Sequence, residues 1–276
     1  MGENRSAKIW SEIDPNKFTV LRPKPDAKRK VISVFMEGED GRLEPVVFQT
    51  PKMRLPHGVS DDTKFEKKSG ENTRTKYWLA PAFYGEEKRD ELVQYRAWLT
   101  LCIDTILEKY LPYADQITPR KKKKHDKDSL YEITGDIIKK SKKEGFPDYI
   151  QEKVTTDYNT GVPSSYFFRK RTNEDGKKVT EQTSYTEVKK HCDAIRVVRL
   201  EGLVLNPTAT QLFPTVNLVQ CLYYPPPEKV SILDKFKTLK IVDNEESDVE
   251  DDVEYIQETD EPVIQNDETV EEITAE

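Results

Sequence analysis

The 276-residue chain is 35% hydrophobic and 34% charged, enough for one sizeable core with much of the remainder solvated. Its formal charge of −7 hides a split: Asp243 to Glu276 hold sixteen Asp and Glu and no Lys or Arg, leaving residues 1–242 with 44 cations against 35 carboxylates, a balance of +9. No run approaches the ~18 apolar residues of a membrane helix, and three scattered cysteines argue for a reducing compartment over a disulfide framework.

Residues 1–30 are polar and Pro-punctuated, with one short β-like run at Phe18 to Leu21. The start lacks the apolar core of a secretory signal, so the expectation is a soluble, intracellular protein. Lys30 to Glu37 and Leu43 to Gln49 are β-branched apolar runs around GEDGR and predict a hairpin. Arg54 to Ser69 reads as a loop, and Thr75 to Gly85 as a third strand bent by Pro81. Glu86 to Tyr110 places Leu92, Tyr95, Leu99, Cys102, Ile103, Ile106 and Tyr110 at spacings of three and four, which predicts a long helix stopped by Pro112. The basic connector Pro119 to Lys127 leads to a shorter helix expected over Ser129 to Lys143. Asp148 to Asp157 fits helix or strand equally.

Ser164 to Thr183 flanks the turn Asn173-Glu174-Asp175-Gly176 and predicts a second hairpin. Ala194 to Leu205 and Pro214 to Tyr224 follow as strands, the latter apolar on both faces and so interior. Pro225 to Pro227 closes the folded region. Beyond about Ile241 the chain cannot bury enough apolar surface to become ordered. Strands, a helix and more strands with local turns favour a mostly antiparallel barrel or sandwich. The expected fold is mostly β with inserted helices, an OB-fold-like Greek-key barrel with long loop elaborations. Its domain is set at 1–240 and a disordered acidic C-terminal tail at 241–276.

Catalytic signatures are absent. There is no GxxxxGK[ST], GxGxxG, GxSxG or HExxH, and His191-Cys192 is an adjacent pair without metal-ligand spacing. No enzyme, cofactor or metal is expected. What remains is aromatic and basic interleaving: Arg74, Lys76, Tyr77 and Trp78; Tyr166, Phe167, Phe168, Arg169, Lys170 and Arg171; and Arg196 with Arg199. Single-strand binders combine stacking aromatics with a cationic groove, while the ordinary place of such aromatics is the core. In a strand Tyr166, Phe167 and Phe168 must alternate faces, so at least one ring meets a second layer or a ligand. The Arg120 to Lys124 run is solvated and serves as a phosphate-binding loop, an import patch or a solubilising linker. The tail carries spaced apolar residues, among them Tyr255, Ile256 and Ile264; beyond solubilising, it would compete for a cationic groove at high effective concentration and offer partners a docking segment.

Asp14 to Lys24 leading into VISVFMEGEDGRLEPVVFQTP, the KYWLAPAF strand before the long helix, and the closing pair LEGLVLNPTATQLFPTVNLVQCLYY resemble OB-fold single-stranded-DNA-binding proteins of large nucleocytoplasmic DNA viruses. The resemblance covers most of residues 14–225 and lies in the order of elements. It implies binding of single strands without sequence preference in replication, recombination or repair, in a host cytoplasmic viral factory or the nucleus. Acidic tails of bacterial and phage single-strand binders usually end in an aromatic residue, whereas this chain ends ITAE. On this reading Lys76, Arg120, Lys121, Lys122, Lys123, Lys124, Arg169, Lys170 and Arg171 neutralise phosphates; Trp78, Tyr166 and Phe168 stack on bases, with Phe167 on the core side. The alternatives are an acidic-tailed chaperone or scaffold for basic proteins and an RNA-binding module.

Overall fold

Alternation along CDAIRVVRL, the first part of a long strand, builds the centre of the fold: Cys192, Ala194, Arg196, Val198 and Leu200 are buried while the residues between them face outward. In this computed structural model, residues 7–23, 30–61, 75–117, 125–173, 175–206 and 211–226 are described, all within one unit, Met1–Pro227. The Arg120 to Lys124 run, the acidic tail and the domain boundary expected near residue 240 lie outside them.

Seven strands come first: β1 (Lys8–Ile9), β2 (Phe18–Leu21), β3 (Val31–Glu37), β4 (Leu43–Gln49), β5 (Met53–Leu55), β6 (Ser60–Asp61) and β7 (Tyr77–Leu79). The helices α1 (Asp90–Tyr110), α2 (Ala114–Ile117) and α3 (Lys127–Ile133) follow. Then come β8 (Ile138–Lys139), β9 (Tyr149–Ile150), β10 (Glu152–Val154), β11 (Tyr166–Thr172), β12 (Lys178–Thr183), β13 (Cys192–Asn206) and β14 (Gln211–Tyr224). The fold is therefore mostly β with inserted helices.

β13 and β14 form an antiparallel spine. β5, β4 and β3 take the other edge of β13 in succession, while β10 and β11 lie parallel along the other edge of β14. β7 then pairs with β10 and β6 with β7. Register shifts at Val197/Val198 and Leu200/Gly202 bend the spine. Gly202 sits at φ 115°, and a Cβ there would stand 2.0 Å from the Ile32 carbonyl oxygen, so only glycine lets β3 approach.

α1 covers the inner face of the sheet. Its buried stripe is the periodic set read from sequence, with Trp98, Thr105 and Leu107 added; Asp90 and Glu91 in its first turn and Lys109 in its last suit the helix dipole. Trp98 packs edge-on against Phe48 with ring centroids 4.8 Å apart and donates its indole N–H to the Ile13 carbonyl at 2.9 Å.

Several expectations change in detail. The sheet is open where a closed barrel was expected: its pairing path ends at β1 and β6. Single bridges from Ala82 to Arg54 and Tyr149 curl it back without a continuous ladder, because Pro81 interrupts the segment that would carry one. The helix expected over Ser129 to Lys143 stops at Ile133, where the Thr134 hydroxyl donates to the Leu130 carbonyl at 2.6 Å and Thr134 bridges Leu212. The ambiguous Asp148 to Asp157 segment contains β9 and β10. β2 coincides with the β-like run read at Phe18 to Leu21, whereas three shorter strands, β1, β5 and β6, were not anticipated; too few residues alternate in them for a pattern to show.

Candidate nucleic-acid interface

The β11–β12 hairpin turns at Asn173, whose side-chain oxygen accepts the Lys177 backbone N–H at 2.7 Å. Alternation along β11 then separates its side chains. Phe167 is 2% exposed, opposite Cys221 in the register, while Tyr166 is 58% exposed. Phe168 and Lys170 share the Tyr166 face, and the Lys170 ammonium donates to the Thr180 hydroxyl at 3.1 Å. Arg169 and Arg171 share the Phe167 face. Both pair with Glu181 of β12, the Arg169 Nε at 2.7 Å and the Arg171 Nε at 3.0 Å. The hydrogen bond from Arg169, aided by both positive charges, holds the Glu181 carboxyl below the usual carboxylate range.

A second group arises from strand register alone. Reading across the sheet, Ser60 of β6 stands opposite Trp78 of β7, Trp78 opposite Lys153 of β10, Lys153 opposite Asn217 of β14, Asn217 opposite Arg199 of β13, and Arg199 opposite Val47 of β4. The flanking residues Leu79, Glu152, Val154, Val216, Leu218, Val198 and Leu200 are buried, so Trp78, Lys153 and Arg199 face outward, while Asn217 in the same row is only 8% exposed. Asn217 is fixed by donating to the Glu201 carboxylate at 2.9 Å. Beside the row lies a groove of about 480 Å³ lined by Lys76, Trp78, Lys153, Phe213 and Thr215.

Both groups occupy the same face of one sheet. The next rows are Val197–Gln220–Tyr166 and Ile195–Leu222–Phe168–Gln182. Asn217 and Leu222 are a few positions apart on one strand, roughly 15 Å at ~3.3 Å per residue. β10 and β11 follow each other along the β14 edge, joined by the Ser165 hydroxyl donating to the Leu218 carbonyl at 2.7 Å and the Ser164 N–H donating to Thr155 at 2.8 Å. Aromatic rings and cations thus alternate on an open surface from Trp78 to Lys170, a pattern suited to stacked bases and phosphates.

Of the residues singled out in the sequence, Lys76, Trp78, Tyr166, Phe168 and Lys170 come together on or beside this face. Arg169 and Arg171 turn to the other. Arg196, read from sequence as one of the interleaved surface cations, is instead 0% exposed. Its Nε lies 3.0 Å from both Glu152 carboxylate oxygens, and one terminal nitrogen donates to the Ala194 carbonyl at 3.2 Å. Burial pushes the Glu152 carboxyl up, opposed by the Arg196 charge. Lys153 and Asn217 were missed. The alternation Glu152-Lys153-Val154 carried the signal, but three residues fit helix and strand alike.

No protein-family model matches the chain, and no curated protein does. Among solved structures, the chain is similar to gp2.5, a single-stranded DNA binding protein encoded by bacteriophage T7. The TM-score is 0.40 with 11% sequence identity, over 67% of this chain and 95% of that one. Among the described residues no group of three or more His, Cys, Asp or Glu is placed to hold a metal ion.

Proposed function

We propose that the chain binds single-stranded DNA without sequence preference, in replication, recombination or repair, and that the strand lies along the outer face from Trp78 to Lys170. The observation that carries this reading is the shared face itself: Trp78, Lys153 and Arg199 in one transverse row, with Tyr166, Phe168 and Lys170 further along the same strands. Trp78, Tyr166 and Phe168 stack on bases; Lys76, Lys153, Lys170 and Arg199 neutralise phosphates. No catalytic step is part of this function. The acidic tail, taken as 241–276, competes with DNA for the same cations and engages partner proteins when displaced.

Fluorescence anisotropy with labelled oligo-dT against a matched duplex tests it. Preference for the single strand is expected, with affinity falling as salt rises because bound cations release counterions. Phe168→Ala should weaken binding by ~1–3 kcal/mol and keep a cooperative melting transition. Equal competition by a matched RNA oligomer would make the chain a general single-strand binder. No binding near physiological salt would end this reading in favour of an acidic-tailed chaperone.

A further inference from the structure

Trp78 has a second side. Beyond it, away from the Lys153 row, a separate groove of about 330 Å³ opens between the segment after β5, the segment after β7, and the turn before β9. That volume is at the small end of ligand-sized clefts. Ala80 and Ala82 line it, and such short side chains leave room for a flat group. Tyr84 and Phe146 add ring surface; Phe146 is 56% exposed, a large apolar exposure for one residue of a polar segment. Lys142 and Lys143 rim the groove, the Lys143 ammonium standing 5.9 Å from the Phe146 ring centroid. His57 and Ser60 supply polar edges opposite them.

We propose that this groove holds one unpaired nucleotide of the bound strand: its base lies against Phe146 and Tyr84, its phosphate against Lys142 and Lys143, and Trp78 separates it from the next base. This rests on the single-strand reading above and extends it by naming where the strand continues. The arrangement combines what a nucleotide needs: an apolar floor, ring faces for a base of any identity, and cations at the mouth for one phosphate.

The experiment uses the full chain and a length series of oligo-dT, with Phe146→Ala and Lys143→Ala beside the wild type. A strand long enough to pass Trp78 is expected to bind Phe146→Ala about fivefold or more weakly, the lower end of what one stacked base contributes. Strands too short to leave the main face should bind the variant as they bind the wild type. A 2-aminopurine moved along the long strand should have one quenched position that recovers its emission in Phe146→Ala, while the positions stacked on the main face stay quenched in both proteins. If the wild type binds oligo-dT and both variants match it at every length, the nucleotide groove is overturned and the main face stands. If the wild type binds no oligo-dT, the single-strand reading itself fails.

Discussion

Two arginines three positions apart, Arg196 and Arg199, show how position decides the role of a side chain. Arg199 faces outward in the Trp78 row, whereas Arg196 points inward to Glu152, with both partners 0% exposed. A buried pair of this kind need not stabilise the fold relative to apolar replacements, but removing one partner strands the other charge. Arg196→Met should therefore cost about 3–5 kcal/mol in chemical denaturation, while Arg199→Met should leave the midpoint almost unchanged. Equal effects would contradict the assigned faces. The same contrast separates Phe167 from its neighbours. In YFFRKR the expected core side of Phe167 is where the structure puts it; in RVVR the composition was legible but the core-facing arginine was not, because alternation fixes relative faces and leaves the choice between them to packing.

At the scale of elements, the hairpin and the central strands divide the work. Arg169 and Arg171 lie on the Phe167 face and are engaged by Glu181, so they should add little to a strand lying on the Tyr166 face. Single-stranded DNA loses roughly 0.7 in the log–log salt slope for each phosphate contact removed. Lys153→Ala and Arg199→Ala should each flatten the slope by about that amount, whereas Arg169→Ala and Arg171→Ala should not. A slope lost with Arg169 instead would place the DNA on the other face of the hairpin. The two hairpins and the long helix were readable from turn residues and from apolar spacing of two or three-to-four. The short strands β1, β5, β6 and β10 were not, since two or three residues carry no period. Lys153 escaped notice for that reason.

Over the whole molecule the charge split is the governing feature: +9 over residues 1–242 and −16 over the last 34. If the tail competes for the cationic face, a 1–242 truncation should bind oligo-dT more tightly than the full chain. The gap should narrow as salt screens the attraction of tail for body. A truncation that binds identically at every salt concentration would leave the tail with a solubilising role, and retention of basic proteins by an isolated 243–276 peptide would point to the chaperone alternative.

The sequence by itself determined that the chain is mostly β with inserted helices, where its strongest elements lie, and that cations and aromatics stand together in two separate stretches, with further cations in RVVR. Those are local properties, carried by periodicity, turn residues and composition. Only the tertiary structure decided that Trp78, Arg199 and Tyr166 share one face. It also decided that Arg196 belongs to the core and that Lys153 and Asn217 complete the row between Trp78 and Arg199. The reason is strand register: it is set by pairings between residues far apart in the chain, such as Lys153 with Trp78 and with Asn217, and Arg199 with Val47. A local pattern holds no record of which strand will lie beside it.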